Sequence, residues 1–428
     1  MPQFFSAPSR GRCIEYSLIA LLSLPFGPVV RAEGLTLADA ERVAVERDAM
    51  LRQLGAEAEA MRARAVAESQ LMDPKLRVGA VNVPVDSFSF TAEDMTMVEL
   101  GVSQEFPAAG VRRLTRQKMD QTAAAADAMA SDRRRTVQRE VRRVWVELGY
   151  IAGARELLAA QTSWVEQMRA SARARYASGE GKQLDVLQAG LDAAMLREQQ
   201  LDLDRDEAMR RAQLARWIGD EQAATAGPFS LPARAEPPTL GVLEDRLAQH
   251  PAQADYERRI DAARTAVELA EMSKRPGWML DVSYGLRSGE DPFGMTRSDM
   301  LSAMVTVDLP LFRGNRQDRE VSAALAEQRG LREQHDDHRR EMHAMLQEAW
   351  ATARKTGDLE KFYESDLLPL ADQSVQAALL AWSSNRAMID EVVTARRVAL
   401  ETRMKHLRLA ADRAQAQFDI DYLAGEVP

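Results

Sequence analysis

The sequence predicts a mainly α-helical chain that carries four membrane-type β-strands and is built from one unit used twice. Three observations lead there. Residues Arg112 to Ala177 contain no proline, and glycine only at Gly149 and Gly153, while Ala, Arg, Glu and Gln dominate, so nothing in the stretch breaks a helix. At 1.5 Å per residue that helix would run for about 100 Å, far beyond the width of a small domain. Its landmarks then recur: Phe106-Pro107, Trp145 and Tyr176-Ala-Ser-Gly179 return as Leu309-Pro310, Trp350 and Trp382-Ser-Ser-Asn385, at offsets that drift from 203 to 206. Slow drift of this kind marks a tandem duplication with small insertions. Third, the runs that precede each long helix alternate apolar and polar residues with a period of two.

Taken in order, Arg10 and Arg12 precede an apolar run from Tyr16 to Val30, and Val30-Arg31-Ala32 offers small residues for cleavage, so 1–32 reads as a signal peptide. The first repeat spans 33–225. Thr36 is a plausible cap for a helix that reaches about Met72, where Asp73-Pro74 stops it. Strand signals follow at Leu76 to Val85 and Met95 to Phe106, the second with Val98, Leu100 and Val102 on one face and Glu99, Gly101 and Ser103 on the other. In the long helix, Val137, Val141, Val144, Leu148, Ile151 and Leu158 step by threes and fours, the seam of a coiled coil. A Pro-rich linker, 226–242, leads to the second repeat, 243–428. There Trp278, Leu280, Val282, Tyr284 and Leu286 oppose Met279, Asp281, Ser283, Gly285 and Arg287, and Leu301, Ala303, Val305, Val307 and Leu309 oppose Ser302, Met304, Thr306 and Asp308. Apolar on one face and polar on the other, about ten residues long, these strands match an outer-membrane barrel wall; a sheet lying on a soluble core would alternate in the same way, but the helices already spend their apolar surface on their seams.

A net charge of −9, which becomes more negative once 1–32 are removed, argues against nucleic acid as a partner. Cys13, the single cysteine, precedes the apolar run, so the mature chain is expected to have neither a lipid anchor nor a disulfide. No stretch after Ala32 is apolar for 18 residues, so any entry into a membrane is by strands. His335, His338 and His343 lie on one long helix, and the first two share a face, but a solvated charged face accounts for them better than a metal site. Nucleophile elbow, phosphate loop and cysteine pair are missing from the sequence, and neither an enzyme nor a cofactor is expected.

Four strands cannot close a barrel, and sheet edges cannot stay open in lipid, so several chains must share one barrel: two would give eight strands and three would give twelve. The chain resembles the outer-membrane efflux protein family, the TolC-like channels. The resemblance rests on the duplication, on Gln104-Glu-Phe-Pro-Ala-Ala-Gly110 and Asp308-Leu-Pro-Leu-Phe-Arg-Gly314, and on the tip Tyr176-Ala-Ser-Gly-Glu-Gly-Lys-Gln-Leu-Asp-Val-Leu-Gln-Ala189. Leu367-Leu-Pro369 also resembles a family feature, where the proline would kink the second long helix.

The resemblance implies a homotrimer, with a 12-stranded β-barrel in outer-membrane lipid continued by a 12-helix tunnel in the periplasm. It implies a passive exit duct joined by a periplasmic adaptor to an inner-membrane pump. Tyr176, Gly179, Trp382 and Asn385 would form adaptor-contact tips, and Pro107, Gly110, Pro310 and Gly314 the strand-to-helix junctions. Asp185, Asp390 and Glu391 would line a periplasmic aperture, with Arg386 as their counter-charge; helix-end charge compensation is the plainer role for Asp185. Ser103 to Arg113 is similar to the branch that exports heavy-metal cations, and small toxic organic compounds are the other cargo class the family implies. A periplasmic adaptor would show one helical hairpin and β-rich domains, and a coiled-coil scaffold would not need alternating strands.

Overall fold

The computed structural model describes residues 35–425 other than 234 and 385. The expected signal peptide 1–32, Cys13 and Asn385 lie outside these. In chain order the elements are α1 (Leu37–Arg47), α2 (Ala49–Ala67), β1 (Lys75–Val81), β2 (Met97–Phe106), α3 (Val111–Ala177), α4 (Gln183–Ile218), α5 (Asp220–Thr225), α6 (Leu240–Leu247) and α7 (Pro251–Met272). Then come β3 (Trp278–Arg287), β4 (Met300–Val307), α8 (Gln317–Phe362), a π-helical turn (Tyr363–Leu367), α9 (Leu368–Ser383) and α10 (Ile389–Ala424). The unbroken α3 has 67 residues, the run from Gln317 to Ser383 is just as long, and α4 and α10 have 36 residues each. No helix among the described residues is long and apolar enough to cross a membrane.

The helices lie side by side, and cross-helix pairs give their order. Antiparallel to α3, α2 covers its strand-proximal half (Arg62 with Asp127, Arg112 with the Ser69 carbonyl) and α4 its tip half (Arg155 with Asp204 and Glu207). On the other flank α3 meets α7, through Thr265 and Gln121, and α10, through Arg143 and Asp419. Beyond these lies the second long helix, with His335 on Gln253 of α7 and Glu360 on Arg413 of α10. Two long helices therefore alternate with two broken ones.

The hydrophobic core occurs twice. Val137, Val141, Val144 and Leu148 of α3 pack with Ala40 and Ala44 of α1 and with Leu214 and Ile218 of α4. Met342, Leu346, Ala349 and Ala353 of α8 pack with Leu243 and Leu247 of α6 and with Ile420 and Ala424 of α10. These are the same positions moved along by 203 to 206 residues. Alanines replace Val144 and Leu148 on the long helix of the second copy, and leucines replace Ala40 and Ala44 on the short one. Volume removed from one side of the interface is restored on the other, the kind of exchange that cores tolerate.

Several boundaries differ from the sequence reading. The first helix breaks at Asp48, which leaves the helical region (ψ 116°) because its carboxylate accepts from the Leu51 amide at 2.8 Å, capping α2, and holds Arg133 at 2.7 Å. That helix ends at Ala67, before Met72, where the Ser69 hydroxyl and the Gln70 side-chain Nε2 donate to the Val66 carbonyl. Strand β1 stops at Val81 because Asn82 adopts φ 55° and Pro84 has no amide to donate. Helix α6 starts at Leu240, inside the expected linker. Pro369 does not break the second arm: it falls in the first turn of α9, where a missing amide costs little, and the π turn just before it absorbs the change of register.

His250 marks the break between α6 and α7, the counterpart of Asp48. Its Nδ1 accepts from the Ala252 amide at 3.2 Å, so Nε2 carries the proton donated to the Tyr422 carbonyl at 3.0 Å. Burial holds the ring neutral, pushing its pKa down to about 4 against the pull of Asp132, 3.9 Å away. The unfolded chain therefore takes up a proton below about pH 6.5 that the folded chain refuses. Stability is complete above that pH and falls as pH drops towards 4, by up to about 3 kcal/mol. Urea unfolding followed by helical ellipticity should lose this part of its pH dependence in His250→Asn; an unchanged slope would show that other groups carry it.

Candidate functional site

The four strands form one antiparallel sheet in the order β1-β2-β3-β4, and its register sorts every side chain onto one of two faces. Leu76, Val102 and Val282 fall in one row, Val78, Leu100, Tyr284 and Leu301 in the next, and Ala80, Val98 and Leu286 in the third. This apolar face is open: Leu76 is 68% exposed, Val78 67% and Leu301 74%. The opposite face is polar, yet Asp281 is only 9% exposed. A sheet on a soluble core shows the reverse. Across the polar face Arg77 reaches Glu99 at 2.8 Å and Asp281 at 2.9 Å, and Lys75 reaches Glu105 at 3.2 Å. Gly101 makes the crossing possible, since a Cβ there would meet Arg77 at 3.3 Å and the Ser283 Cβ at 3.1 Å. β1 and β4 end the sheet, and neither has a second partner strand among the described residues.

At the helix end of the sheet, Phe106 stacks on Trp278, with centroids 4.1 Å apart. Pro107 ends β2 pairing, and Gly110 (φ 97°) turns the chain into α3. In the second copy Pro310 precedes a 3-10 turn, Arg313–Asn315, that contains Gly314. At the loop end, Arg297 fastens the two loops together: it donates to the carbonyls of Thr91 and Glu93 and pairs with Asp94 at 2.8 Å.

The two helical tips share one hydrogen-bond scheme. In the first, Gly179 takes φ 80° and the Glu180 amide donates to the Arg175 carbonyl at 2.9 Å; in the second, the Arg386 amide donates to the Ala381 carbonyl at 2.8 Å. Asp185 accepts from the Lys182 amide and Glu391 from the Met388 amide, both at 3.3 Å. Each of these carboxylates thus closes the first turn of its own helix. Asp390, one residue before Glu391, is exposed and makes no such bond among the described residues. Arg386 turns to the Ser384 hydroxyl at 3.2 Å rather than to either acid of its own tip. Tyr176 is half exposed, and Trp382 is partly buried.

The histidine cluster lies between α7 and α8. His335 bonds to Gln253 at 2.7 Å, and the rings of His335 and His338 lie 5.5 and 5.1 Å from that of Tyr256. Among the described residues no group of three or more His, Cys, Asp or Glu side chains could hold a metal ion. A network that the sequence reading missed joins α3 to α10: Glu147 is bonded by Arg408 at 2.8 Å and by Gln415. Burial raises the Glu147 pKa, but the Arg408 bonds outweigh it and the net shift is downward. Its signal was weak, because Glu147 and Arg408 lie far apart in a chain rich in both types.

No protein-family model matches the sequence, and no curated protein does. Solved structures do. The outer membrane protein VceC of Vibrio cholerae is 18% identical, with 91% of this chain and 96% of that chain covered and a TM-score of 0.76. CusC, described for its folding and transmembrane channel formation, is 14% identical, with 91% and 92% covered and a TM-score of 0.73. The open MtrE outer membrane channel of Neisseria gonorrhoeae is 14% identical, with 91% and 89% covered and a TM-score of 0.72. The chain therefore has the fold of outer-membrane channels along nearly its whole described length.

The capping geometry separates the three acids. Asp185→Ala and Glu391→Ala should speed amide hydrogen exchange in the first turns of α4 and α10 by about twofold to tenfold, whereas Asp390→Ala should leave α10 within experimental error. Equal acceleration by all three would mean that charge near the helix end matters and the bond does not.

Proposed function

We propose that the protein is the outer-membrane channel of a tripartite efflux pump, a passive duct from periplasm to exterior. The observation that carries this is the inverted sheet. An apolar face open to its surroundings, an opposite face that carries the Arg77–Glu99–Asp281 network, and two edges unpaired among the described residues together describe one segment of a barrel wall in lipid. Three chains would give twelve strands, enough for an open lumen, and the fold shared with outer-membrane channels supports that number.

The helices repeat the same logic. α2 and α4 form one free flank of the helical layer, and the second long helix forms the other. On α4, Leu184, Leu187 and Leu191 are 58%, 62% and 62% exposed and turned away from α3. They are suited to cover a neighbouring copy. Since the second repeat docks on the first within one chain, the first repeat of a second chain would dock on the second in the same manner, and three chains close a 12-helix tunnel. Its far end, roughly 100 Å from the sheet, carries the tips, within reach of a periplasmic adaptor and, through it, an inner-membrane pump. Heavy-metal cations are the cargo this reading favours.

Threefold symmetry would bring Asp390 of each copy towards the axis, free of the capping bond that occupies Glu391. An acidic ring favours cations and is strained by like charge. The purified protein should have the mass of three chains in detergent and conduct in planar bilayers. Asp390→Asn should lower cation selectivity and weaken block by multivalent cations, and the difference should shrink in molar salt, where screening acts over about 3 Å. A monodisperse monomer without conductance would contradict the proposal.

A further inference from the structure

The strands of this chain contain four methionines, and the register puts all of them on one face. Met97, Met279, Met300 and Met304 share the parity of Glu99, Ser103, Asp281, Ser283 and Ser302. The apolar face, where Leu, Val, Tyr and Trp collect, has none. Methionine used as hydrophobic filler would be expected on the face that needs hydrophobic residues. Here it replaces polar residues, beside carboxylates, and the only other large apolar side chain of that face within the strands is Val81.

The four fall into two pairs. Gly285 lies on β3 between β2 and β4, and the Met97 sulfur fills the space that a Cβ on Gly285 would take. Met300 is the direct register partner of Gly285 on the far side. Met97 is opposite Arg287 and Met300 opposite Gly285, so their backbones lie two strand spacings and two residues apart, about 12 Å, and a glycine leaves the ground between them clear for both side chains. Nearer the helices, Met279 pairs with Thr306 and Asp281 with Met304, so Met279 and Met304 are diagonal neighbours on the same face. Side chains of that length meet across such a diagonal. Met304 is 62% exposed.

We propose that Met97 with Met300, across Gly285, and Met279 with Met304, beside Asp281, form two thioether stations for a soft monovalent cation, Cu(I) or Ag(I), on the wall of the lumen. Thioethers select soft cations over Na⁺, K⁺, Mg²⁺ and Zn²⁺. Neutral sulfur ligands bind such ions without the tight grip of thiolates. A duct needs sites that are favourable enough to enter and weak enough to leave, and two stations roughly 15–20 Å apart along the strands meet that need. The proposal rests on the channel reading for the statement that the polar face lines the lumen, and it names the cargo class of that channel.

The test is equilibrium titration of the full-length detergent-solubilised protein with Ag(I), counted per chain and compared among variants. Met97→Leu/Met300→Leu conserves volume and should remove about one bound Ag(I) per chain, as should Met279→Leu/Met304→Leu. Gly285→Ala keeps every sulfur but takes the space of Met97, and it should lose the same ion as the first pair. Excess Zn²⁺ or Mg²⁺ should displace none of them. Unchanged Ag(I) capacity in the quadruple leucine variant would overturn the stations. K⁺ conductance of the same preparations keeps the two ideas separate: pores that conduct K⁺ but have no methionine-dependent Ag(I) leave the channel reading intact. A wild-type protein that forms no pores overturns the lumen assignment itself.

Discussion

The proposed channel depends on one constraint, the need to satisfy backbone hydrogen bonds where no water is present. A sheet can meet lipid only if every amide and carbonyl is paired, and four strands leave two edges open. The side chains are arranged accordingly, with Leu76, Val78, Leu100 and Leu301 outward and Arg77, Glu99 and Asp281 joined on the other face. Burying Asp281 under Arg77 while Leu301 stands open would be costly in water. In a barrel wall it costs little, because lipid accepts the leucine and the ion pair is satisfied within the protein.

Duplication turns this local need into an architecture. Each repeat supplies two strands, one 67-residue helical run and a set of shorter helices beside it, and each has its own core at the middle of the long helix. The exchange of Ala40 and Ala44 for Leu243 and Leu247, against Val144 and Leu148 for Ala349 and Ala353, shows two copies diverging in sequence while the space between helices stays filled. The copies differ most where mechanics differ. α3 is continuous, but its counterpart contains a π turn followed by Pro369, and single π turns of this kind often accompany function.

Much of this was legible in the sequence, for identifiable reasons. The strand faces could be read because a period of two leaves a clear mark over ten residues, and the seam from Val137 to Leu158 because a long helix repeats its period many times. Asp48 was not legible as a break. It lies in a run of good helix formers, and the Arg133 that holds it out of the helix comes 85 residues later. Pro369 marked in the sequence the place where the second long helix is irregular, since the π turn lies directly before it. At the tips, Asp185 and Glu391 could be read as helix-end acids from position alone. Arg386 is an opposite charge close to Asp390 and Glu391 in sequence, but its Nε donates to the Ser384 hydroxyl two residues away. The Glu147–Arg408 network had no signal short of the fold itself.

The central claim is that the sheet is a wall with lipid on its apolar face and water on its polar face. Nitroxide scanning along β3 in bilayers tests it directly, with the label placed in turn at residues 280 to 285 and its collision rates measured with oxygen, which partitions into lipid, and with a water-soluble nickel chelate. The account predicts oxygen maxima at Leu280, Val282 and Tyr284 and nickel maxima at Asp281, Ser283 and Gly285, alternating with the strand period of two. Nickel access to both faces, or maxima in the opposite phase, would contradict it.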